Sequence, residues 1–413
     1  MKIKDIDIFF LDVPFHEVPN RNMQRQNNGW HICEICRVET DNGLVGVGET
    51  LPNYTWGKVT DEAVARARGG NPFDLMWDDT LGAGLQMALF DVAGKAAGVP
   101  VHRLLGKQVR RSCPISWWGI DMSPEDYAAE ARDAVAQGYM SFKQKARPWW
   151  DVYEQARLTA AQIPRDFKLD FDFNELLVNA ATAIPVLQQL DSFPNIAIYE
   201  SPIVHRDTEG MRRIRAATRS ALAVHYGDPP INICLHEDMC DGFVVGGGAS
   251  GIMRQAHLAE ETRKIFWLQM VGAGITTAFS LHVGAVCPHA QWPAVTCMNM
   301  YVDQLITEPI TIFGGYAAVP DTPGLGIEFK EETLRWKVDS PDKPNVDALY
   351  AIARDCGVKT WYKTEMKGFW ADCAAGNHPL DEHGVRLERW DNDGSKAWQD
   401  LAKRVEKGPV REG

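Results

Sequence analysis

The chain has 413 residues, 45% of them hydrophobic and 24% charged, with a net charge of −12. That length exceeds one small domain and fits a large barrel with a second domain, or two to three smaller units. The acidic balance and the lack of a long basic run argue against nucleic acid or an anionic membrane as partner, and no apolar run approaches the about 18 residues that a membrane span needs.

The N-terminal MKIKDIDIFFLDVPF alternates as a strand does. It has neither the long apolar stretch nor the cleavage site of a signal peptide, so a cytoplasmic protein is expected. Residues 16–30, HEVPNRNMQRQNNGW, are polar and without period, and a long functional loop is expected there. CEICRVETDNGLVGVGE reads as two strands joined by a turn at Thr40, Asp41, Asn42 and Gly43. Cys33 and Cys36 form a CxxC, but a strand would face them oppositely and no second pair follows. Buried reduced thiols are expected there rather than zinc. LGAGLQMALFDVAGKAAG has helical spacing, with Gly98 as its stop.

From about residue 112 short apolar runs alternate with helical stretches. The runs are CPISWWGI, SFKQKA, FKLDFDF, NIAIYE, ALAVHY, DGFVVG, IFWLQM and AVTCMNM. Ser123, with Glu125 and Asp126 behind it, opens the first intervening helix; ELLVNAATAIPVLQQL reads as another; PPINICLHEDMC offers little helix. Eight strand–helix alternations predict a parallel (β/α)8-type barrel. The expected division is an α+β capping domain over 1–110, a barrel over 111–330 and a return segment over 331–413, packed on the capping domain, with a helix near VDALYAIARD.

In such a barrel the active site lies at the C-terminal strand ends. FKQKARPWWD sets Lys143, Lys145 and Arg147 two apart, on one face if extended. Lys145, Asp172, Glu200 and Asp228 then follow at intervals of 27, 28 and 28 residues, one barrel unit each. A lone K-x-K is ordinarily a solvated strand face, and Asp170 could pair with a surface lysine; joint placement at successive strand ends is what points to function. Carboxylates converging at a barrel mouth need a hard divalent cation, and oxygen ligands suit magnesium. Lys143 and Arg147, as like charges, would push Lys145 toward neutrality and make it a usable base.

These residues resemble the enolase superfamily in its mandelate racemase/muconate lactonizing enzyme branch. NGLVGVGE and ALFDVAGKAAGVPVHRLLG resemble its capping domain and lead into the barrel; FKQK, LDFDFNE and IYESP resemble its lysine and metal-ligand strands; GGGASGI resembles its glycine-rich turn and EPITIFGGYAAVPDTPGLGIEF its return segment. The resemblance implies a modified (β/α)7β barrel with an N-terminal α+β cap, Mg2+ as cofactor, a small-molecule carboxylate (an acid sugar) as partner, and a homo-oligomer. It implies Lys145 as base, Lys143 as its pKa-lowering neighbour, and Asp172 and Glu200 as metal ligands. Two alignments leave the third ligand as His225 or Asp228. Arg147 and Arg25 are expected to contact the substrate, and Asn28, Trp30, Trp149 and His205 to sit on loops at the mouth.

The departures from the family pattern direct the functional expectation. Strand seven carries Gln269 and Met270 where many members have histidine, Asp241 starts strand six rather than ending it, and strand six has no lysine. His282 falls on the following helix, and Asn299 lies near the usual strand-eight glutamate position. A two-base racemase or a cycloisomerase would need the missing far-side group. A one-face base fits dehydration of a sugar acid to a 2-keto-3-deoxy acid. A family member without catalysis is the reading of a different class.

Overall fold

The computed structural model describes all residues except 26–28, 53, 55–56, 342–346, 364–365 and 380–381. Asn28 therefore lies outside the described residues. The alternating N-terminal runs form an antiparallel sheet: β1 (Ile3–Asp12) pairs with β2 (Ile32–Thr40), and β2 with β3 (Val45–Thr50). Gly43 takes the left-handed conformation the tight turn requires, with φ of 80°. Helix Ala83–Ala97 lies on this sheet and ends at left-handed Gly98, as its sequence predicts. The approach is close because Gly48 has no side chain: a Cβ there would fall 1.9 Å from the Gly84 carbonyl oxygen. Residues 16–30 depart from the expected loop, since Glu17–Met23 is a short helix anchored by buried Pro19 and Met23.

All eight predicted barrel strands are present: β4 (Ser112–Trp118), β5 (Ser141–Lys145), β6 (Lys168–Asp172), β7 (Ile196–Glu200), β8 (Ala221–His225), β9 (Gly242–Val245), β10 (Ile265–Leu268) and β11 (Ala294–Val295). Each pairs in parallel with its neighbour from β4 to β10. β11 pairs with β4, and a parallel bridge between Gln269 and Val295 closes the ring. Ser123 caps the first barrel helix, accepting from the Asp126 N–H. The poor unit after β8 yields only the short helix Ile231–Glu237.

The hairpin of β12 (Ile312–Phe313) and β13 (Tyr316–Ala318) returns along β4, and β14 (Lys337–Val338) joins the capping sheet beside β1. Beyond it the chain departs from expectation. The run near VDALYAIARD is a strand, β15 (Ala348–Ala353), not a helix. With β16 (Lys359–Tyr362), β17 (Arg386–Asp391) and β18 (Val410–Glu412) it makes a third, antiparallel sheet ordered β17-β15-β16-β18. Both faces of β15 are buried. Tyr350 and Ile352 pack with Phe369 of helix Met366–Ala374, while Leu349 and Ala351 pack with Trp398 and Leu401 of helix Lys396–Val405. A continuous apolar run shows no period of two, which is why it mimics a helix.

Candidate active site

β5, β6 and β7 run in register, so Lys145 lies opposite Asp172 and Asp172 opposite Glu200 across neighbouring strands. Side chains two residues apart share a face, and Lys143 accordingly lies opposite Asp170 one layer deeper. The structure brings together Lys143, Lys145, Arg147, Asp172, Glu200 and His225.

The three cations are not left to repel one another. Lys143, 1% exposed, forms an ion pair with Glu200, lies 3.8 Å from Asp172 and donates to Gln269 Oε1 at 3.0 Å. Burial disfavours its charge, but Glu200, Asp172 and Asp170 outweigh burial and hold its pKa above the ordinary lysine value. Its charge is spent on carboxylates, and this replaces the expectation of a lone cation pressing on Lys145. Lys145 is ion-paired to Asp172 and donates to Asn174 Oδ1 at 3.1 Å. Burial would raise the Asp172 pKa; Lys145, Lys143 and Arg147 prevail and depress it. Burial and Asp172 likewise push Glu200 up, but Lys143 and His225 hold it below the usual carboxylate range. Asp170 does not pair with a surface lysine. It turns inward, its Oδ1 is buried without a hydrogen-bond partner among the described residues, and burial raises its pKa.

Arg147 is buried and fixed: Nη1 donates to the Asp172 carbonyl at 3.0 Å and Nη2 to Asn174 Oδ1 at 2.5 Å. Arg25 lies elsewhere. It is a buried partner of Asp121, with Nη2 2.7 Å from Asp121 Oδ2, so its charge holds the loop after β4 rather than facing the cavity. Trp149, expected at the mouth, is fully buried and donates to the same Asp121 oxygen at 2.8 Å. His205 is buried beside Ser201 Oγ at 2.9 Å.

The two readings of the third ligand separate in space. His225 Nε2 is 3.2 Å from Glu200 Oε1, and His225 lines the cavity with Lys145. Asp228, 55% exposed, sits instead near His205 and Arg206 at 3.9 and 3.8 Å. With Glu175 and His205 it forms a separate group whose ligand atoms lie within 4.8 Å of one another. Both carboxylate oxygens of Glu200 are buried, Oε2 paired with Lys143 and Oε1 beside His225 Nε2, without a hydrogen bond of regular geometry among the described residues. Two such carboxylates beside an imidazole fit a divalent cation; the oxygens suit magnesium, and the imidazole also suits softer ions.

The cavity above these groups measures about 320 Å3. On its far side Gln269 takes the position expected for a histidine base; its Nε2 donates to Tyr54 Oη at 2.9 Å. Asn299 is structural, bonded twice to the Trp118 backbone. His282 is a core residue as expected, with Nε2 3.0 Å from the Leu325 carbonyl. Sequence reasoning missed Asn174, Tyr54, Trp118 and Trp370 at this cavity. Asn174 could have been found from its place two residues beyond Asp172. Trp370 carried no signal, because it lies more than 200 residues past Arg147, the motif residue it meets.

An eight-stranded parallel barrel with lysines and carboxylates at its strand ends, under an α+β cap, belongs to the class of barrels whose active sites lie at the C-terminal mouth. The family described as Enolase C-terminal domain-like matches residues 126–241 and 243–333, and the chain belongs to it. Among curated relatives, D-galactonate dehydratase of Xanthomonas campestris pv. campestris is 28% identical over 74% of this chain and 91% of its own length. N-succinyl-L-Arg/Lys racemase of Bacillus cereus is 24% identical over 73% of this chain and 89% of its own length. The solved muconate cycloisomerase of Pseudomonas fluorescens superposes with a TM-score of 0.67 at 20% identity, covering 82% of this chain and 99% of that one. No helix among the described residues is long and apolar enough to cross a membrane.

Proposed function

We propose that the protein is a Mg2+-dependent dehydratase of a sugar acid, an aldonate, uronate or aldarate, giving a 2-keto-3-deoxy acid and water. The observation that carries this reading is the one-sidedness of the site. Lys145 stands at the mouth beside Asp172, while the far side presents Gln269 and Tyr54 in place of a second base. D-galactonate and D-gluconate dehydratases among the relatives support it; racemase and cycloisomerase relatives mark the competing readings.

In this mechanism Asp172, Glu200 and His225 would hold the cation, which would stabilise the negative charge that develops on the substrate carboxylate. Lys143 keeps Glu200 and Asp172 ionised and in place. Arg147, braced by Asn174, orients the substrate carboxylate or a hydroxyl. Lys145 Nζ removes the α-proton. The same Nζ–H then delivers its proton to the departing β-hydroxyl on the same face.

The test is incubation of the metal-replete protein with aldonates, uronates and aldarates in D2O, reading 2-keto acid and α-deuterium. Lys145→Ala is expected to lose keto-acid formation by about 100-fold or more. α-Deuterium without keto acid would replace dehydration by epimerisation, and silence across the panel would sink the sugar-acid reading.

A further inference from the structure

The third sheet and its two helices lie beyond residue 333, where the family match ends. We infer that this C-terminal unit forms a wall of the active-site cavity, and that Trp370 with Trp30 and Trp118 makes an aromatic subsite for an apolar face on the distal part of the carboxylate substrate. The inference rests on reading the cavity as a carboxylate site.

The first support is where the unit docks. Tyr350, Tyr362 and Phe369 share one buried cluster with Trp149, Trp150 and Leu176, which come from the loops after β5 and β6. Those loops also carry Arg147 and Asn174. The rings of Trp149 and Phe369 lie 5.3 Å apart. Two hydrogen bonds pin the join: the Asp151 N–H donates to the Val385 carbonyl at 3.0 Å, and the Gly384 N–H donates to the Asp151 side chain at Oδ2, at 2.8 Å. A surface held by aromatic packing and buried hydrogen bonds is part of the core, not a tethered appendage.

The second support is what the unit brings. Phe369 is fully buried in the join, and the next residue on the helix, about 100° round, is Trp370, which lines the cavity with Lys145 and Arg147. Its ring centroid lies 5.4 Å from the Arg147 guanidinium carbon, and its buried Nε1 has no hydrogen-bond partner among the described residues. Trp370 thus touches the side chain proposed to orient the substrate.

The third support is the division of the cavity. Lysine, arginine and carboxylates fill one side. Trp30 stacks on Trp118 at 5.5 Å and lies tilted against Tyr54 at 4.4 Å, with Ile120, Val271 and Val295 nearby. The polar groups there, Gln269 and Tyr54, are bonded to each other. A chain bearing hydroxyls on every side would leave them unpaired against this wall, whereas a ring presents a C–H face to the indoles. That shared chemistry belongs to a cyclic sugar acid or to an aryl carboxylate.

The experiment is calorimetric titration of the full-length, Mg2+-loaded protein with lactate, gluconate, glucuronate and 3-phenyllactate, repeated on Trp370→Ala and Trp370→Phe. A ring-bearing acid is expected to bind more tightly than lactate and gluconate. Trp370→Ala should weaken that ligand by about tenfold and lactate by less than about twofold, and Trp370→Phe should restore it. Preference for glucuronate over 3-phenyllactate identifies a sugar ring, and the reverse an aryl group; either sustains the subsite. Equal weakening of all four acids, an unchanged preference in Trp370→Ala, gluconate as the tightest ligand, or no binding of any acid by the unsubstituted protein would overturn the inference. Binding with this pattern but no α-proton exchange would leave the subsite standing and remove the dehydratase reading.

Discussion

Lys143 shows how far the surroundings override a side chain's intrinsic tendency. Buried among Glu200, Asp172 and Asp170, it is the cation that makes a cluster of carboxylates tolerable. Lys143→Met should cost about 3–5 kcal/mol when divalent cations are chelated. Saturating Mg2+ should recover much of that loss, because the ion replaces the missing charge. Thermal melts in chelator and in Mg2+ test this, and an equal loss in both would refute the charge-balancing role. His282 offers a cleaner pH signature away from the site. Burial pushes its pKa down to about 4, against about 6.5 in an unfolded chain. As pH falls the unfolded chain binds the proton first. The contribution is therefore full above about 6.5 and lost progressively toward about 4, up to about 3 kcal/mol. His282→Asn should flatten the fall in melting temperature between pH 7 and pH 4; an unaltered slope would assign the effect to other groups.

At the scale of elements, the capping sheet and helix Ala83–Ala97 meet backbone to backbone. Gly48→Ala would drive a Cβ to 1.9 Å from the Gly84 carbonyl oxygen, with no flexible side chain to yield. A loss of about 3 kcal/mol or outright failure to fold is expected, read by denaturant titration; a variant as stable as the parent would mean that helix and sheet can slide apart. β15 teaches a different lesson. Its six residues are buried on both faces, so its apolar run has no alternation, and the sequence expectation of a helix failed there. The short helix Glu17–Met23 was missed for the opposite reason, since only Pro19 and Met23 among its residues are buried. Where half-burial alternates, as in β1, or charged residues sit at a helix start, as after Ser123, the elements were legible.

In the whole molecule, cap and barrel are joined through a buried carboxyl group. Glu49, at the end of the capping sheet, accepts from the Ala273 N–H at 2.5 Å and the Thr276 N–H at 3.0 Å, at the N-terminus of barrel helix Gly274–Val286. Glu49→Ala should strand these two buried donors and cost about 3 kcal/mol. Faster hydrogen exchange confined to the start of that helix and to the capping sheet is the expected mark; exchange rising evenly across the barrel would mean that the two units melt as one. The sequence by itself determined the barrel, because its strands recur at one unit's spacing and each bears its own apolar run. It determined the row Lys145, Asp172 and Glu200 as well, since alternation and register carry strand-end charges to one height. Tertiary structure alone decided which cation neutralises which carboxylate, that His225 rather than Asp228 stands beside Glu200, that Arg25 serves Asp121, and that Trp370 reaches the cavity. Those outcomes depend on distances between segments remote in the chain. Burial and ion pairing act through space, and no local pattern of residues records them.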